Sequence, residues 1–132
     1  MEAHNDRIIV KTAKGFRQVE VAHISHILCE DYLCTLYLIN KDKPITCTKS
    51  LRYFEQALAP HPFVRIHHNA IVNLDCVAEV KCKGRQRHAV MTDGTVLPIS
   101  VRKWPAFRDA FRTLTYTAQN DTLTVKTDTL TK

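Results

Sequence analysis

Apolar and polar residues alternate with period two through the first third of the chain, the pattern of strands that bury one face. RIIVK at 7–11 and FRQVEV at 16–21 flank Lys14-Gly15. Glycine supplies the backbone angles of a tight turn, so these runs predict an antiparallel hairpin. Residues 27–30 and LCTLYLI at 33–39 predict a second strand pair hinged near Glu30-Asp31-Tyr32, and the polar run Asn40 to Pro44 predicts a turn before ITCT. At SLRYFEQALA the period changes: Leu51, Phe54 and Leu58 recur at helical spacing, Ser50 can cap the start and Pro60 ends the run. CVAEVKCK and RQRHAVM bracket Gly84, and MTDGTVLPIS places Asp93-Gly94 between two apolar runs, which predicts three successive strands. Trp104, Phe107, Phe111 and Leu114 share a helical stripe beginning at Trp104, with Pro105 tolerated in the first turn.

One stretch departs from simple alternation. FVRIHHNAIVN at 63–73 sets Phe63, Ile66, Ile71 and Val72 as apolar anchors among Arg65, His67, His68, Asn69 and Asn73, whose donors can reach phosphates or base edges. The same residues also fit a buried strand and turn whose polar side chains satisfy nearby backbone groups.

The chain has 132 residues, 45% hydrophobic and 24% charged, which suits one globular domain. Its formal net charge is +6, and residues 61–114 hold nine Lys or Arg against four acids, so the excess lies in the same half as FVRIHHNAIVN. That favours a polyanionic partner. Lys81, Lys83, Arg85 and Arg87 alternate around the Gly84 turn, where a solvated hairpin tip accounts for them. No apolar stretch reaches the roughly 20 residues needed to span a bilayer, and MEAHNDR lacks the apolar run of a secretory signal, so the expected location is cytoplasmic. Five cysteines (29, 34, 47, 76 and 82) with no CxxC pair argue against a disulfide framework and for small buried apolar side chains. His23, His26, Cys29 and Cys34 lack the paired close spacing of a zinc site. No Walker pattern, GxSxG or nucleophile with its base is presented, so the expectation is no enzyme, no cofactor, no metal and no small-molecule substrate.

Taken in order, these segments resemble the LytTR family of bacterial DNA-binding domains over about residues 7–114: hairpin strands, the SL..F..AL helix, FVRIHHNAIVNL, a basic hairpin, then LPIS followed by Val101-Arg102. The resemblance implies a mainly β fold of elongated antiparallel sheets with one or two short helices. It implies a transcriptional regulator, of a kind often found behind a phosphoacceptor receiver domain, that reads repeated sites on double-stranded DNA by loops in successive major grooves. A second copy would occupy the adjacent repeat. The family's base-reading positions fall at Tyr32, His68 and Arg102, with Lys49, Ser50, Arg52, Asn69, Ser100 and Lys103 beside them for phosphate contacts. Arg65 and His67 stand between apolar neighbours and would brace the loop. Glu30 and Asp31, two acids next to Tyr32, motivate the alternative of an interaction module on the same fold that modulates another regulator without binding DNA tightly.

The expected organisation is a lead at 1–6, a domain at 7–114, and a threonine-rich segment at 115–132 that is either a tail or a late hairpin turning at Asn120-Asp121. No receiver domain precedes the fold in this sequence, which leaves a stand-alone regulator or a piece of a longer one.

Overall fold

The structure, a computed structural model, describes residues 6–40 and 42–121, with side chains followed to residue 113. Ten strands and two helices occur among the described residues: β1 (Arg7–Thr12), β2 (Gly15–Glu20), β3 (Ile24–Glu30), β4 (Leu33–Leu38), β5 (Ile45–Cys47), α1 (Leu51–Ala57), β6 (Phe63–His67), β7 (Ala70–Asn73), β8 (Val77–Lys83), β9 (Gln86–Met91), β10 (Val96–Ile99) and α2 (Trp104–Asp121). They form three antiparallel sheets: the β1-β2 hairpin, a five-stranded sheet ordered β5-β4-β3-β7-β6, and a three-stranded sheet ordered β10-β9-β8. This is the mainly β architecture expected.

The five-stranded sheet is covered on both faces, which is why its central strands read as apolar runs rather than as strict alternation. Ile27, Leu36 and Ile71 pack with Val10 and Val19 of the hairpin and with Leu51, Phe54 and Leu58 around α1. Ile66, Ala70 and Val72 point the other way, onto Ala89, Met91, Leu97 and Ile99 of the smaller sheet and Phe107 of α2. Successive residues of a strand face opposite sides, so β7 feeds both cores from four residues.

Several expectations are corrected. β3 begins three residues before the strand expected at 27, because a bulge between Ile24 and His26 breaks the alternation there. That extension buries Ser25 and His26, whose Oγ and Nδ1 lie 2.8 Å apart, and stacks the imidazole on Tyr37. Cys29 and Cys34 face each other across the β3–β4 hairpin and form a disulfide, whereas Cys47 and Cys76 are buried thiols and Cys82 is exposed. At the C-terminal end, α2 runs on through Asp121, so Asn120-Asp121 does not turn a hairpin. Neither proline nor glycine follows Pro105, and each added helical residue gains a hydrogen bond once the helix is nucleated. Residues 122–132 of the expected tail lie outside the described residues, as does Lys41 in the polar turn.

Candidate nucleic-acid interface

Strand register brings Tyr32, Lys49, Ser50, His68 and Asn69 to one end of the five-stranded sheet. Cys47 pairs with Cys34, so the chain leaves β5 toward Lys49 and Ser50 beside the start of β4, and Glu30 pairs with Leu33 to close the loop that carries Tyr32. The Cys29 amide donates to the Asn69 carbonyl at 2.9 Å, which sets the β6–β7 turn next to that loop. Across the sheet the order at this end is therefore the approach to α1, the Tyr32 loop, then His68 and Asn69. At about 4.8 Å per strand, the row from β5 to β6 is roughly 19 Å wide.

The last contact loop comes from the other layer. Ser100 donates its amide to the Ile66 carbonyl at 2.8 Å, which pins the end of β10 to β6 one residue before His67. The Ser100 carbonyl then accepts from Lys103 at 3.1 Å and from Trp104 at 2.9 Å, and Ser100 Oγ accepts from the Lys103 amide at 3.2 Å. Val101 and Arg102 are the two residues spanned by this closed turn, and both are exposed, Val101 by 79%.

Arg65 holds the central turn from beneath. Its Nη2 donates to the His68 carbonyl at 2.8 Å, its Nε to the His67 carbonyl at 3.3 Å, and its Nη1 pairs with Glu55 of α1 at 3.2 Å. The guanidinium is thus occupied in bracing, and Glu55 is a partner that the helical periodicity alone gave no means to find. His67 Nδ1 accepts from the Asn69 amide at 3.3 Å. Burial, and secondarily the neighbouring His68, hold the His67 pKa below its ordinary value, which suits a ring nitrogen serving as acceptor. The His68 ring lies 4.3 Å from that of His67 and is exposed, as is the Asn69 side chain. Asn73 is not part of this surface. It is 3% exposed, donates to the Ile24 carbonyl at 2.9 Å and accepts from the Asp75 amide at 3.0 Å, so it joins β7 to β3 instead of offering a donor to a ligand.

Tyr32 is 87% exposed at the tip of its loop, and Asp31 beside it adopts a left-handed backbone with φ 56°. Aspartate tolerates that conformation better than most residues because its short side chain can bond locally. Lys49 stands with Nζ 4.6 Å from the centroid of the Tyr53 ring, and Ser50 Oγ caps α1 by accepting from the Tyr53 amide at 3.1 Å. The hydroxyls of Ser50 and Ser100 each keep a proton to donate. Arg52 is exposed on the first turn of α1, and Lys103 is half-buried. Glu30 lines a shallow groove with Leu33, His67, Asn69 and Pro98, so acidic character is also present at this end.

The surface holds donors and cations. Among the described residues, no cluster of His, Cys, Asp or Glu could hold a metal ion, and no helix is long and apolar enough to cross a membrane.

Known proteins share this fold. Residues 14–112 match the family described as LytTr DNA-binding domain. No curated protein matches the chain. Among solved structures, a LytTr DNA-binding domain from Bacillus cereus superposes with a TM-score of 0.69 at 22% identity, covering 80% of this chain and 95% of that one.

Proposed function

Because the chain belongs to the LytTr DNA-binding domain family, we propose that it is the sequence-specific DNA-reading part of a transcriptional regulator, with Tyr32, His68 and Arg102 reading bases. The observation that supports this most is the Ser100–Ile66 hydrogen bond, which sets the Arg102 turn beside the His68 turn although they belong to different sheets. Loops of two or three residues are slim enough for a major groove about 12 Å wide. Arg102 projects from a turn closed by backbone bonds, so little backbone freedom is lost when its planar fork meets guanine O6 and N7. His68 can donate to a base acceptor or a phosphate from its exposed ring, and the Tyr32 hydroxyl can both donate and accept. Lys49, Ser50, Arg52, Asn69, Ser100 and Lys103 surround these three and supply phosphate contacts that fix register without reading sequence.

Reading by separated loops favours a duplex that bends toward the protein, and repeated sites let a second copy bind alongside. Selection of bound duplexes from a random pool tests the proposal. Enrichment of a repeated motif is the expected result; recovery of no DNA would favour the interaction module, which Glu30 and Asp31 motivate through their repulsion of phosphate.

A further inference from the structure

The β8–β9 hairpin carries Lys81, Lys83, Arg85 and Arg87, a basic group that the loops described above leave without a role. Its position follows from register. Ile99, the last residue of β10, pairs with Arg87, and Lys83 pairs with Gln86 to close a two-residue turn at Gly84-Arg85. Counted from Arg87, Arg85 is the second residue and Gly84 the third, so at about 3.4 Å per residue the tip stands at most roughly 10 Å beyond the end of β10. Ser100 leaves β10 in that same direction, so the tip flanks the Ser100–Lys103 turn that presents Arg102.

The tip is held in place. Gly84, at φ 62°, provides the first position of the tight turn. Arg87 donates from Nη1 to the Gly84 carbonyl at 3.2 Å and lays its guanidinium 4.9 Å from the centre of the Trp104 ring, at the start of α2 and one residue after Lys103. Arg87 Nε is buried with no hydrogen-bond partner among the described residues. The guanidinium on Trp104 fixes the base of the tip against the start of α2. Lysines on the edge strand β8 do serve to discourage edge-to-edge pairing, which accounts for Lys81 and Lys83. That account covers neither Arg85, in the turn itself, nor the brace formed by Arg87.

We propose that this hairpin tip is a phosphate-binding arm, in which exposed Lys83 and Arg85 grip the backbone of the duplex whose bases Arg102 reads. The proposal rests on the DNA-binding reading above. Lys81 has Glu79 at 3.9 Å, whereas Lys83 and Arg85 have no ion-pair partner among the described residues. Both are exposed, so their charge is available to a polyanion with little desolvation cost. Lys83 offers a point charge, and the fork of Arg85 matches a phosphate as well as a guanine; because the tip stands beside the base-reading turn rather than in it, the expected contact is to phosphate.

The test is a salt titration of DNA affinity for the full chain and for Lys83→Gln with Arg85→Gln, on a duplex chosen by selection and on a random duplex of equal length. The variant should keep its melting temperature, lose affinity on both duplexes by a similar factor of roughly ten or more at moderate salt, and show a log–log salt slope shallower by about 2. A slope equal to that of the parent chain would overturn the proposal, as would a loss confined to the selected duplex, which would make the tip a base reader. If the parent chain itself shows no salt-dependent binding, the DNA reading fails and the arm with it; that outcome is visible before any variant is compared. Should the double variant melt early, Lys83→Gln and Arg85→Gln are measured singly, each expected to reduce the slope by about 1.

Discussion

Ser100 gives its amide proton to the carbonyl of Ile66 across 2.8 Å, and this one bond couples the turn bearing Arg102 to the turn bearing His68. Ile66 is itself fully buried in the core shared by the two larger sheets. The presented surface therefore inherits its geometry from packed backbone, while His68 and Arg102 contribute nothing to that core. Stability and binding should separate cleanly by residue.

The first expected separation lies inside β7 and the turn before it. Ile71 is buried against α1 and the β1-β2 hairpin, so Ile71→Ala should cost about 2–5 kcal/mol of unfolding free energy through lost burial and the cavity left behind. His68→Ala removes an exposed ring whose backbone carbonyl is still held by Arg65, and should change stability by about 0.5 kcal/mol or less while weakening DNA binding. Urea unfolding of both variants beside a DNA titration checks the pair. A His68→Ala chain as unstable as Ile71→Ala would make the histidine a core residue.

Stability should also fall on acidification, because His26 is buried. Burial holds its pKa below the ordinary value of 6.5, with Asp93 pulling weakly the other way. A histidine whose folded pKa is depressed binds fewer protons in the folded state than in the unfolded one. Its contribution is therefore present above about pH 6.5 and is lost as pH falls through the lower folded value. His67 acts in the same direction. Unfolding free energies measured at about pH 7.5 and about pH 5 should show the lower value at acid pH, with a shallower dependence in His26→Gln. Equal stability at the two values would contradict this account of the buried ring.

Neutralising the acids beside Tyr32 should strengthen DNA binding. Glu30→Gln with Asp31→Asn removes two repulsions from phosphate, and asparagine accepts the left-handed backbone that Asp31 adopts, so the loop keeps its shape. The gain should be larger at low salt than at high salt, because exposed charges are screened, and similar for all sequences, since neither acid is proposed to read a base. Unchanged affinity at low ionic strength would mean that this loop points away from the duplex and that Tyr32 has no part in reading it.

Most of the fold is legible in the sequence because hairpins declare themselves locally: Lys14-Gly15 and Gly84 mark turns between alternating runs, and Ser50 with Pro60 bounds α1. The same local logic could have placed Cys29 opposite Cys34, since a two-residue turn at Asp31-Tyr32 pairs them directly. What could not be read locally is contact between segments distant in sequence. Asn73 fits a ligand donor and a buried side chain that satisfies backbone groups equally well until β7 is laid against β3, where its amide meets the Ile24 carbonyl. The Ser100–Ile66 bond is likewise set by how two sheets pack, which hydrophobic patterning does not encode. Tyr32, His68 and Arg102 came from family resemblance; the structure adds that they lie at one end of the molecule on turns held by backbone bonds.

Arg102 carries the central claim, that this end of the protein recognises sequence and not merely charge. The most direct measurement is the affinity of the parent chain and of Arg102→Ala for a duplex enriched by selection and for a random duplex of equal length, at one salt concentration. The account predicts that the parent prefers the selected duplex, and that Arg102→Ala loses about 1–3 kcal/mol on it while losing far less on the random one. Equal losses on both duplexes, or a parent chain that binds the two alike, would contradict it.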